Sequence, residues 1–121
     1  MARVLLLLRS DNLRLPLSRI LRRAGHEVAS ARTAEEAQRT LATAHFDAVL
    51  SEVDPPGELT GAELCERARH SGCRTRFFLV VEGPHPRLLP RRENTGLVLV
   101  PFPPDAAELL RLLAERNPEA G

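Results

Sequence analysis

Short apolar runs alternate with amphipathic segments five times along this chain, and that alternation constrains its fold more than any other feature. Val4 to Leu8 is continuously apolar between Arg3 and Arg9, the pattern of a strand covered on both faces. Leu13, Leu17, Ile20, Leu21 and Ala24 then recur at helical spacing; Pro16 falls in about the first turn, and Gly25 stands where a helix end favours glycine. His26 to Ser30 is short and half-polar, as suits an edge strand. Thr33 and Glu36 have the spacing of a capping box, and Ala37, Leu41 and Ala44 form the inner face of the helix that it opens. Phe46 to Ser51 reads as a third strand, followed by Glu52 and the loop Val53-Asp54-Pro55-Pro56-Gly57.

A second capping box, Thr60 and Glu63, opens a helix with Leu64 and Ala68 inward, which Gly72 ends. Phe77 to Val81 and Leu97 to Val100 are the fourth and fifth strands. Pro104 and Asp105 start a last helix whose Leu109, Leu112 and Leu113 face inward. Strand and helix in alternation, with short connections, imply an α/β fold: a doubly wound, five-stranded parallel sheet between helices. One connection departs from the pattern. Gly83 to Arg92 carries Pro84, Pro86 and Pro90, so the fourth helix is expected to be short, distorted or absent.

The length of 121 residues fits one domain over residues 1–117, with a frayed polar tail at 118–121. All 17 basic side chains are arginine, which excludes lysine Schiff-base chemistry, pyridoxal phosphate held on a lysine and a P-loop. A net charge of +1 with both signs spread along the chain marks no nucleic-acid or membrane surface. No apolar run reaches spanning length, so a cytoplasmic location is expected. Cys65 and Cys73 read as reduced thiols, because Cys65, His70 and Cys73 match no common zinc spacing. No cofactor or metal is expected.

Gly25-His26-Glu27-Val28, Phe46-Asp47-Ala48-Val49-Leu50, Pro56-Gly57 with Gly61 and Leu64, and Pro101-Phe102 occur in an order and spacing that resembles the receiver domain of two-component response regulators along essentially the whole chain. The resemblance implies flavodoxin-like strand order 2-1-3-4-5 in a (βα)5 arrangement. It also implies a crevice with two acids for Mg²⁺, a phosphoacceptor aspartate, a Thr or Ser, and a lysine. The corresponding positions here are Leu8 and Arg9 for the metal, Glu52 for the acceptor, and Val81 and Val100 for the switch, so none of the five matches.

An aliphatic side chain and a guanidinium offer Mg²⁺ no oxygen ligand, and without metal or lysine, phosphoryl transfer lacks its main electrostatic stabilisation. The expected protein is therefore a pseudo-receiver, not an enzyme, held in one state and acting by binding a partner protein or itself. Arg9 and Glu52 are candidates for an ion pair in place of the metal; the alternative leaves Arg9 in solvent and Glu52 as a hydrated strand end. A second reading is a working phosphotransfer receiver with an unusual acceptor at Glu52, Asp54 or Asp11, the last by a two-residue shift that brings Ser10 and Asp11 to the metal positions. A third, a flavodoxin-like binder of a small molecule, lacks a Gly-rich phosphate loop and aromatics for stacking. In the family, partners bind around the fourth helix, fifth strand and fifth helix, which here points to Arg87, Leu88, Leu89, Arg91 and Arg92 as the partner surface. If the chain is complete, no DNA-binding domain follows it.

Overall fold

The computed structural model describes residues 2–82, 97–102 and 105–114. The elements run β1 (Arg3–Leu7), α1 (Asp11–Arg23), β2 (Glu27–Ser30), α2 (Ala34–Thr43), β3 (Ala48–Glu52), α3 (Gly61–His70), β4 (Arg76–Glu82), β5 (Leu97–Phe102) and α4 (Ala106–Ala114). All strand pairs are parallel, and the order is β2-β1-β3-β4-β5, as the resemblance implies. The helix counted fifth in the alternation is α4 among the described residues. The proline-rich connection, the candidate surface from Arg87 to Arg92 and the tail at 118–121 lie outside them.

Two apolar layers flank the sheet because β1, β3 and β4 bury both faces. On one side Val4, Leu6, Leu8, Leu50, Phe78 and Val80 pack against Leu13, Leu17 and Leu21 of α1 and Leu109 of α4. On the other, Leu5, Leu7, Val49 and Phe77 meet Ala34 and Ala37 of α2 and Leu64, Cys65 and Ala68 of α3. The edge strand β2 is largely exposed, as its half-polar sequence requires.

Local chemistry sets the helix ends. Gly25 and Gly72 adopt φ +92° and +85°, and each closes a Schellman motif. His26 N–H donates to Leu21 O at 3.0 Å and Gly25 N–H to Arg22 O at 3.0 Å; Cys73 and Gly72 repeat the pattern on Ala68 and Arg69. Thr60 and Glu63 form the full capping box. The box at Thr33 is only half formed: Thr33 Oγ1 accepts from Glu36 N–H at 3.0 Å, but the Glu36 carboxylate reaches past the cap to Arg32 N–H at 2.5 Å. Pro16 lies in the second turn of α1, not the first, because Ser10 caps the helix and Asp11 begins it.

The arginine-only basic set has a structural use at the amino ends of the strands. Arg3, Arg69 and Arg76 place their guanidinium groups over Phe46, Phe77 and Phe78 at 4.8, 5.7 and 5.0 Å from the ring centroids. A planar guanidinium stacks and still donates sideways, which an ammonium does poorly. Thus Arg76 Nη1 also reaches Leu112 O in the last turn of α4 at 2.6 Å. At the same end, partial burial pushes the Asp47 carboxyl up. The Arg3 N–H at 2.8 Å and the His45 ring at 3.2 Å outweigh it and hold the group below its ordinary value.

The start of α3 lies hard against the sheet. A Cβ at Gly61 would sit 2.6 Å from Leu79 Cδ2 and 2.8 Å from Glu52 O, and the second contact is with backbone that cannot swing away. Gly61→Ala is expected to cost about 1 to 3 kcal/mol through overpacking, read as a lower urea midpoint; an unchanged midpoint would refute this close approach.

Candidate functional site at the carboxyl ends of the strands

In a doubly wound sheet the crevice opens beyond the carboxyl ends of the strands at the switch point, here between β1 and β3. The register places Leu7 level with Ser51, Glu52 level with Val80, and Val80 level with Val100. Leu8, Glu52, Val81 and Val100 therefore converge at that end, with Arg9 beside them.

The floor of the crevice is apolar. Leu8, Val80 and Val100 are 5%, 3% and 3% exposed and belong to the same buried cluster as Leu6, Leu50 and Leu109. Val81, next along β4, is also buried and pairs with Pro101. Ser51 is fully buried and turns its hydroxyl onto Glu52 O at 2.7 Å.

Glu52 and Arg9 do meet, but not as the expected ion pair. The half-buried Glu52 carboxylate accepts the backbone N–H of Arg9 at 2.8 Å, while the Arg9 guanidinium donates to the carbonyl of Asp54 at 3.1 Å. Among the described residues no ion pair joins the two side chains. The physical reason is reach: the chain turns out of β1 at Arg9, which presents its amide to the neighbouring strand end and carries the long side chain on to the next loop.

The remaining acids are engaged elsewhere. Ser10 caps α1 by accepting Asn12 N–H at 3.0 Å, and Asp11 pairs with Arg14 one turn on. Asp54 is exposed and offers its carbonyl to Arg9. The loop after β3 is held to the start of α2: Ala34 N–H donates to Pro56 O at 2.9 Å, and Glu58 N–H donates to Glu35 Oε2 at 3.0 Å. Gly57 makes this approach possible, since a side chain there would strike Glu35. Glu35 was not singled out from the sequence; a first-turn acid beside the one used for capping was the only sign of it.

These donors do not suit Mg²⁺, which takes oxygen ligands in octahedral array. Leu8 and Arg9, which the resemblance aligns with metal-binding acids, are a buried aliphatic group and a guanidinium, and one oxygen of the Glu52 carboxylate already accepts an amide. Among the described residues no group of three His, Cys, Asp or Glu side chains converges on a possible metal position. Cys65 is buried and Cys73 partly so, and neither forms a disulfide.

No family model and no curated protein sequence matches this chain. Solved structures do. The chemotaxis response regulator CheY4 of Vibrio cholerae is 28% identical over 93% of this chain and 96% of its own, with a TM-score of 0.79. The signal receiver domain of an HD domain-containing protein from Pseudomonas fluorescens is 25% identical over 98% and 94%, at 0.77. That of a signal transduction histidine kinase from Syntrophus aciditrophicus is 22% identical over 93% and 87%, at 0.78. The architecture is thus that of a flavodoxin-like, doubly wound protein. More narrowly, it is the receiver-domain fold of response regulators, carried by nearly the full length of the chain. Among the described residues no helix is long and apolar enough to cross a membrane.

A protein without a Mg²⁺ site gains no stability from the ion, because only ligands that bind the native state raise the melting temperature. Millimolar Mg²⁺ is expected to leave thermal unfolding unchanged; a saturable rise in melting temperature would contradict the misfit.

Proposed function

We propose that this chain is a phosphorylation-independent, receiver-like signalling module, held in one state, that works by binding a partner protein or a second copy of itself and not by catalysis. The observation that supports this reading best is the apolar floor: Leu8 and Val100, at the places where receivers carry an acid and a lysine, are members of the buried core. Transfer of a phosphoryl group to a carboxylate is catalysed mainly by positioning and by neutralising charge on the transferred group. Here the acceptor position offers Glu52 with an amide on one oxygen and valines on β4 and β5.

The same features support a fixed state. Val81 and Val100 have no hydrogen-bonding side chain to follow the charge on Glu52, and the loop after β3 is fastened to α2 at two points. Partner binding around Arg87, Leu88, Leu89, Arg91 and Arg92 remains part of the proposal, on the basis of residue type alone. The solved neighbours include a chemotaxis response regulator and the receiver of a histidine kinase, which supports a signalling role; a cytoplasmic location is part of the proposal.

Incubation with acetyl phosphate and Mg²⁺ is expected to leave the intact mass of the protein unchanged. A Mg²⁺-dependent gain of one phosphoryl group, mapped to Glu52, Asp54 or Asp11, would instead establish the phosphotransfer reading.

A further inference from the structure

A second charged surface lies along the outer side of α1, away from the crevice floor. A groove of about 470 Å³ runs between α1 and the end of β2, lined by Arg14, Arg19, Arg22 and Arg23 together with Leu15 and Ser30 and by no acidic residue. Arg14 is paired with Asp11, and Arg22 Nη2 donates to Val28 O at 3.3 Å. Arg19 and Arg23 are exposed, and among the described residues neither makes an ion pair. Leu15, at 52% exposure, supplies an apolar contact beside them.

The other wall, at Ser30, belongs to an edge of the sheet that no further strand covers among the described residues. β2 is the terminal strand, and Glu27 and Ala31 direct their N–H groups to Ala2 O and Leu6 O of the β1 side, each at 2.9 Å. In a parallel ladder the intervening residues point the other way, so the backbone amides of Val28 and Ser30 face outward. The groove therefore meets the strand edge at Ser30, with the outward Val28 amide further along the same edge, and has four guanidinium groups on its other side.

We infer that this groove binds an acidic, extended segment of a partner protein, which adds to the edge of β2 and lays its carboxylates along α1. Arg14 to Arg23 spans about 13 Å of helix, the length of roughly four residues of extended chain. The arginine row also sets specificity, since an edge guarded by like charge turns away basic strands and accepts only a strand that brings compensating acids. A polypeptide fits better than a nucleic acid, because a strand edge also presents carbonyls, which need donors that a phosphodiester lacks, and the net charge of the whole chain is only +1. This binding site goes beyond the proposed loss of phosphoryl chemistry and stands whether or not Glu52 can be phosphorylated.

The test is fluorescence anisotropy of the full chain with a fluorescein-labelled peptide of alternating Glu and Val, combined with amide hydrogen exchange. Saturable binding that weakens with added salt is expected, with protection gained at the Val28 and Ser30 amides. Replacing both exposed cations (Arg19→Glu with Arg23→Glu) should weaken binding by about tenfold or more, and Arg19→Gln with Arg23→Gln should weaken it in the same direction if the charge reversal disturbs folding. Absence of saturable binding at millimolar peptide, equal binding by the variants, or tighter binding of a single-stranded DNA oligonucleotide without protection at Val28 and Ser30 would each overturn the inference.

Discussion

Burial of β1 on both faces is the constraint on which the rest depends. A central parallel strand has no solvent side, so every residue from Val4 onward must be apolar or find a buried partner, and helices must cover both layers. In this chain the apolar run does not stop where the strand stops. It continues through Leu8, which joins Val80 and Val100 in the core beneath the crevice. A charged acid at that position would have to be desolvated against those valines, so the packing that stabilises the sheet disfavours a carboxylate there.

What polar chemistry remains is used for fastening. The Glu52 carboxylate holds the chain as it leaves β1, the Arg9 guanidinium holds the next loop, and Glu35 with Ala34 anchors that loop to α2. At the opposite end of the sheet, three stacked arginines and the Asp47 contacts tie strand starts to neighbouring elements. A switch needs a group with two arrangements of similar energy. Among the described residues of this crevice the Glu52 carboxylate and the Arg9 guanidinium each have a partner, and Val80, Val81 and Val100 have no polar group to exchange, which is the ground for the proposed fixed state.

The fold was legible because its signals are local and repeated: the apolar period of each element, the glycines after α1 and α3, and the Thr60 box all depend on neighbours a few residues apart. The site was legible in identity but not in geometry. Leu8, Val81 and Val100 could be recognised as unsuitable by residue type alone, whereas the manner in which Arg9 meets Glu52 depends on how the backbone turns at Arg9, which residue type does not specify. Glu36 illustrates the same limit, since its spacing fitted a box with Thr33 but its reach carried it to Arg32. The groove along α1 was not legible in the sequence because Arg14, Arg19, Arg22 and Arg23 fall at different angles around the helix, and only its packing beside β2 brings them to one groove with Ser30.

The central claim, that the Glu52 carboxylate clasps the chain as it leaves β1 above an apolar floor, is tested most directly by measuring hydrogen exchange of the Arg9 backbone amide by NMR in the native chain and in Glu52→Ala. The account predicts slow hydrogen exchange at this amide in the native chain and faster exchange in Glu52→Ala, which removes the acceptor. An Arg9 amide that exchanges as fast as an exposed loop and does not respond to Glu52 would contradict it.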